Sequence, residues 1–67
     1  MSVNQVPKII RENRIKKGLT QKQLAEMLGY KRDASVQQWE SGRQNVPAKT
    51  IRRLAEILEI DLNRLLP

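Results

Sequence analysis

The chain has 67 residues, of which 39% are hydrophobic, so residues 1–67 are expected to form one small domain with room for a single function. It contains no Cys and no His, which removes disulfides, thiolate and imidazole metal ligands and the usual catalytic bases, so neither a metal site nor an enzyme is expected. Thirteen Lys and Arg against seven Asp and Glu give a net charge of +6, which favours nucleic acid as the partner, ahead of an anionic membrane surface.

The first two predicted helices are marked by a proline and a capping sequence, and a glycine follows each. Pro7 suits a first helical turn, which predicts helix 1 over residues 7–17. Thr20 and Gln23 form a capping-box pattern, in which each side chain bonds a free backbone N–H of the other residue. This pattern predicts helix 2 over residues 21–28.

The third predicted helix begins after a turn and is polar on its outward side. Residues 29–32 lead to Asp33, whose side chain can accept a hydrogen bond from a backbone N–H at the helix start. Helix 3 then runs from residue 33 or 34 to about residue 41, with Val36 and Trp39 beneath its polar residues. Two short helices joined by such a turn are typical of a helix-turn-helix, whose second helix lies in the major groove of DNA.

The rest of the chain predicts two further helices and no strand. Pro47 can open helix 4, whose apolar residues follow the spacing of one helical face: Ile51, Leu54, Ala55 and Leu58. Asp61 can cap a short fifth helix that carries Leu62, Leu65 and Leu66. No segment alternates with the period of a strand, so the predicted fold is all-α.

Trp39 and Tyr30 are the only aromatic residues, and each raises the question of stacking on bases. Trp39 falls on the inward stripe of helix 3, three residues after Val36, and so small a domain needs its largest side chain in the core. We therefore expect Trp39 to be buried. Tyr30 lies in the turn, where it can pack against the protein or present its hydroxyl to a phosphate, and the sequence leaves both open.

Several short motifs occur in order along the chain. They are Arg14, Gly18-Leu19-Thr20-Gln21, Leu24-Ala25 followed by Leu28-Gly29, Trp39-Glu40-Ser41-Gly42, Pro47 and the tail from Leu54-Ala55 to Leu66. Together they resemble the phage repressor and Cro family, the Xre-like group of helix-turn-helix domains. The resemblance implies a compact five-helix bundle of the lambda-repressor-like type, with helices 2 and 3 as the helix-turn-helix. It also implies a bacterial or phage regulator that binds operator DNA, usually as a symmetric dimer.

The resemblance assigns contacts with DNA residue by residue. Base contacts fall on Asp33, Ala34 and Gln38, with Ser35 beside them: Gln38 can bond adenine, Asp33 can accept from cytosine N4, and Ala34 can touch a thymine methyl group. The alternative for Asp33 is a helix cap without a DNA contact. Phosphate contacts are expected for Gln21, Arg32, Ser41, Arg43, Gln44 and Asn45. The alternative for these residues is a solvated polar surface.

Two further expectations come from the same resemblance, and a third comes from the number of cations. Arg14 and Glu40 occupy the positions of an internal ion pair that orients helix 3. The spacing from Ala25 to Val36 is one residue longer than the family pattern, which lengthens the turn and leaves the start of helix 3 uncertain. The other cations are expected to be solvated and to act by long-range steering: Lys8, Arg11, Lys16, Lys17, Lys49, Arg52 and Arg53.

The candidate dimer surface is the short fifth helix, because this helix has more apolar residues than one buried face needs. The residues expected at the dimer interface are Leu62, Asn63, Arg64 and Leu65. The alternative is that Leu62 and Leu65 complete the core.

These observations predict a sequence-specific repressor that binds double-stranded DNA as a homodimer, at least on DNA, with no cofactor and no small-molecule ligand. The competing hypothesis is a protein-interaction module, such as an antitoxin-like partner, whose binding would not depend on salt. No apolar run approaches the roughly 20 residues of a membrane span, and the N-terminus lacks a signal-peptide pattern. A cytoplasmic protein is therefore expected. Binding to a membrane surface is not favoured, because the core needs the apolar face of helix 4.

Overall fold

The computed structural model describes residues 5–66 of the chain. It contains α1 (Val6–Lys16), α2 (Gln21–Met27), α3 (Ala34–Ser41) and α4 (Ala48–Leu58), followed by a 3-10 helix, η1 (Leu62–Leu65). No β-strand occurs in this range, so the prediction of an all-α fold with a helix-turn-helix is confirmed. Among the same residues, no helix combines the length and the apolar character that a bilayer span requires.

The prediction of a fifth α-helix is wrong: residues 5–66 form four α-helices, and the expected fifth is the single turn η1. The predicted cap is present, because Asp61 Oδ1 accepts a hydrogen bond from the Asn63 N–H at 2.9 Å. Leu66, however, is extended, with φ −88° and ψ 134°, and it precedes a proline, which disfavours the α-helical region for this residue. The four residues of η1 are too few to form a stable α-helix before the extended Leu66.

All four α-helices end in the same way, with a residue in the left-handed region and a backbone bond across the last turn. These residues are Gly18, Gly29, Gly42 and, in place of a fourth glycine, Glu59 at φ 56°. The next residue's N–H then donates to a carbonyl five residues earlier; Tyr30 N to Ala25 O, at 2.9 Å, is one such bond. This ending satisfies carbonyls that a helix terminus leaves free, and it turns the chain sharply into the next element.

The core lies between the four α-helices and η1, and it positions α3. Val36 and Trp39 of α3 are buried against Ile10 of α1 and the other core side chains, so the prediction of a buried Trp39 is confirmed. Tyr30 packs edge-on against Trp39, with 5.8 Å between the ring centroids, and its hydroxyl lies 3.2 Å from Thr50 Oγ1. The turn before α3 is therefore anchored to the core through Tyr30, which settles the open question about this residue in favour of packing.

Candidate nucleic-acid interface

An ion pair between α1 and α3 holds the C-terminal half of α3. Arg14 Nε donates to Glu40 Oε2 at 2.6 Å, and Arg14 Nη2 donates to Glu40 Oε1 at 3.1 Å. The side chains of Arg14 and Glu40 are only 12% and 5% exposed. A bidentate contact between a planar guanidinium group and a carboxylate fixes distance and angle together. The structure thus brings together the two residues that the family resemblance pairs.

Further hydrogen bonds connect this ion pair to α2. Gln21 Nε2 donates to Glu40 Oε1 at 3.2 Å, and Arg14 Nη1 donates to the Leu19 carbonyl at 2.8 Å. The Glu40 carboxylate therefore accepts three N–H groups, two from Arg14 and one from Gln21. We call Arg14, Gln21 and Glu40 the Glu40 network. Because it joins α1, α2 and α3, it fixes the angle between the two helices of the helix-turn-helix.

The outer face of α3 is polar and directed away from the core. It consists of residues at the three- and four-residue spacing of one helical side: Ala34, Gln37, Gln38 and Ser41. Gln38 is half-buried and the other three are exposed. This face presents two primary amides, a hydroxyl and a methyl group. Such groups distinguish base pairs in the major groove, by hydrogen bonds to base edges and by contact with the thymine methyl group.

The start of α3 differs from the cap that the sequence predicts. Asp33 makes no side-chain hydrogen bond to the helix, so the prediction that it caps helix 3 is wrong. A capping residue needs an extended backbone, whereas Asp33 has φ −84° and ψ 0° and so continues the turn into the helix. Asp33 and Ser35 are half-buried, and Arg32 is exposed immediately before them.

The loop after α3 is fastened to the last turn of the helix. The Gln38 carbonyl accepts from Ser41 Oγ at 3.1 Å, from Arg43 N at 3.0 Å and from Gln44 N at 3.3 Å. Arg43, Gln44 and Asn45 are exposed, as a contact with a phosphate requires. The Ser41 hydroxyl hydrogen is directed at the Gln38 carbonyl. Ser41 is exposed, so its contact with a phosphate stays a prediction.

A polar groove opens between α1, α2 and α3, beside the outer face. Its lining residues are Arg11, Arg14, Gln21, Gln37, Glu40 and Ser41. Two of these, Arg11 and Gln37, were not assigned to DNA contact from the sequence. Helical spacing was the available signal: Arg11 precedes Arg14 by three residues on α1, and Gln37 follows Ala34 by three on α3. The groove brings Gln21 and Gln37 together, which their separation in sequence does not indicate.

The residues predicted as a dimer surface are divided between core and surface. Leu65 is 1% exposed and packs inside its own chain, so its prediction as a dimer contact is wrong: this side chain completes the core. Leu62 is 37% exposed, and Asn63 and Arg64 are exposed. Ile15 of α1 is 57% exposed and lines a shallow groove together with Arg64. A candidate surface with apolar residues thus extends from η1 to α1.

Comparisons with known proteins agree with this geometry. A family model described as helix-turn-helix matches residues 10–65, a range that includes α2, α3, α4 and η1. The chain is also similar to the crystal structure of the restriction-modification controller protein C.AhdI from Aeromonas hydrophila. The TM-score is 0.79, and the two sequences are 33% identical over 94% of each chain. No curated protein sequence matches the chain. The chain belongs to the helix-turn-helix family, and within it to the Xre-like group.

Proposed function

We propose that the chain is a sequence-specific regulator of transcription that binds double-stranded DNA with α3 in the major groove. The outer face of α3 supports this proposal, because its amides, hydroxyl and methyl group do not pack in the core. The Glu40 network holds α3 in place through hydrogen bonds to α1 and α2. Preorganisation of this kind lowers the entropy that the protein loses on binding. We further propose that the chain is a binding protein without catalytic activity.

The length and charge of α3 support docking in the major groove. Its eight residues span about 12 Å, which is about the width of that groove in B-DNA. Arg32 is exposed two residues before α3 and Arg43 two residues after it, so a cation lies near each end of the helix. With α3 in the groove, these two side chains approach the phosphates that border it. The net charge of +6 adds long-range attraction to DNA.

The comparison supports a regulatory role. C.AhdI is a restriction-modification controller protein, and its similarity covers nearly all of this chain, including the helix-turn-helix. We propose that this chain controls transcription, and that it acts as a repressor by occupying an operator. A reporter gene whose promoter overlaps the selected operator tests this role. Expression should fall when the chain is present, whereas a rise would show an activator and overturn the repressor assignment.

We propose that the chain binds a palindromic operator as a homodimer through the surface formed by Ile15, Leu62, Arg64 and Leu66. Leu66 is 49% exposed, so this surface places three large apolar side chains in water in the single chain. The described residues measure 35 × 22 × 22 Å. Two bodies of that size in contact are compatible with two α3 helices one turn of DNA, about 34 Å, apart.

The first experiment selects bound duplexes from a random pool and then compares two variants. Gln38→Ala should relax preference at one base pair by about 1 to 3 kcal/mol, because Gln38 lies on the outer face. Arg43→Ala should weaken all duplexes alike and lower the salt slope by about one, because it meets a phosphate. Equal behaviour of the two variants would contradict the division into base and phosphate contacts. Salt-insensitive capture of a single protein, without selection of any duplex, would favour the protein-interaction module instead.

The second experiment tests the dimer with Leu62→Glu, which places a charge on the proposed interface. The variant should sediment as a monomer and bind a palindrome without cooperativity between half-sites. Leu62 is already partly exposed, so the fold should survive, and circular dichroism checks this. Lys22→Glu is the control, because it adds negative charge at an exposed position of α2 away from the proposed interface. Unchanged assembly of Leu62→Glu would place the interface elsewhere.

A further inference from the structure

We propose that the groove between α1, α2 and α3 binds one phosphate of the DNA backbone, with Arg11 supplying the charge and Gln37 a hydrogen-bond donor. The inference rests on the proposed function, and it assigns a phosphate contact to Arg11 of α1 and to Gln37 of α3. The ligand chemistry is that of a phosphodiester, which carries a single negative charge and presents acceptor oxygens.

The charge balance of the groove leaves Arg11 free for an anion. Glu40 is the one carboxylate among the lining residues, and its oxygens already accept three N–H groups within the Glu40 network. Arg14 therefore neutralises Glu40, and neither contributes net charge. Arg11 is exposed and has no ion-pair partner among residues 5–66. The groove thus carries one uncompensated positive charge, which matches one phosphodiester.

The position of the groove places this anion next to the bases that α3 would contact. Gln37 belongs both to the groove lining and to the outer face of α3. A phosphate seated between Arg11 and Gln37 therefore lies beside α3, on the side of α1 and α2, whereas Arg32 and Arg43 lie at the two ends of α3. The backbone would be held at a third point, and this point would fix how far α3 rotates about its own axis in the groove.

The test combines Arg11→Gln with neutral substitutions in the DNA. A series of operator duplexes, each with one uncharged methylphosphonate in place of a phosphate, is titrated with the wild-type chain and with the variant. Arg11→Gln should bind the unmodified operator about tenfold more weakly and lower the salt slope by about one. One methylphosphonate position should weaken the wild-type chain by a similar factor and leave the variant unchanged, because the charged partner is already missing.

Arg52→Gln is the matched control. Arg52 is also an exposed arginine, but it belongs to α4 and lines neither the groove of Arg11 nor the groove beside the proposed dimer surface. Its replacement should change affinity less, and it should leave the response to every methylphosphonate as in the wild type. The proposal is overturned if Arg11→Gln behaves like Arg52→Gln, or if no backbone position loses its effect in Arg11→Gln. Failure of the proposed function looks different: the wild-type chain itself would then select no duplex.

Discussion

Replacement of Arg14 by Met leaves the buried Glu40 carboxylate without its charged partner and is expected to remove much of the stability of the domain. Glu40 is only 5% exposed, and of its three N–H donors only the Gln21 amide remains in the variant. Breaking a buried pair in this way costs about 3 to 5 kcal/mol. A chain of 67 residues has a typical free energy of unfolding of about 3 to 10 kcal/mol. Arg14→Met should therefore lower the Tm by about 12 °C or more.

The measurement is thermal and urea unfolding followed by circular dichroism, for the single variants and for Arg14→Met/Glu40→Leu. The double variant removes both charges and fills the site with apolar groups, so it should recover most of the lost stability. Two results would refute the reasoning: an Arg14→Met variant that melts within about 4 °C of the wild type, or a double variant whose loss equals the sum of the two single losses.

The same double variant separates stability from orientation. Without the carboxylate, Gln21 loses its bond to α3, and the angle between α2 and α3 is no longer fixed by hydrogen bonds. The double variant should therefore fold and still attract DNA, yet discriminate less between operator and random duplex. Undiminished discrimination would show that core packing alone orients α3.

Three further predictions concern the scaffold. Glu59→Gly should raise the Tm, because the left-handed backbone at Glu59 costs about 1 to 2 kcal/mol and the side chain makes only a surface ion pair. Glu59→Ala loses the ion pair but keeps the strained backbone, so it should not raise the Tm. Tyr30→Phe should lower the free energy of unfolding by about 1 kcal/mol, since the hydroxyl next to buried Thr50 is lost; an unchanged urea midpoint would contradict this. Leu65→Ala should cost about 2 to 5 kcal/mol and Leu62→Ala much less, and comparable losses would refute the assignment of Leu65 to the core.

The scaffold was predictable where a local signal decides the structure. The capping box is present, since Thr20 Oγ1 accepts from Gln23 N and the Gln23 side chain accepts from Thr20 N. The burial of Trp39 followed from its spacing to Val36. These features depend on residues a few positions apart, so the sequence contains all that they need.

The remaining features depend on geometry between elements. The bond from Gln21 to Glu40 exists because α1, α2 and α3 meet at one angle, which no spacing within a single helix specifies. The predicted cap at Asp33 is absent because the backbone of that residue is not extended, with φ −84° and ψ 0°. In the sequence, Arg11 does not differ from the other surface cations. Only the structure shows that it lines the groove beside an Arg14–Glu40 pair whose charges cancel.

The carbonyl of Gln38 accepts hydrogen bonds from Ser41 Oγ and from the N–H groups of Gly42, Arg43 and Gln44, which secure the end of α3, and the Gln38 side chain takes no part in them. The backbone of Gln38 thus maintains the fold, while its side chain can be replaced without loss of these hydrogen bonds. Ala34 is exposed and, like the Gln38 side chain, lies outside the Glu40 network. Under the proposed function, the preferred operator can therefore be altered at Ala34 and Gln38 with little effect on folding. Paralogues of this chain could then differ in target while sharing one scaffold, and designed regulators with separate operators could be built by exchanging these two side chains.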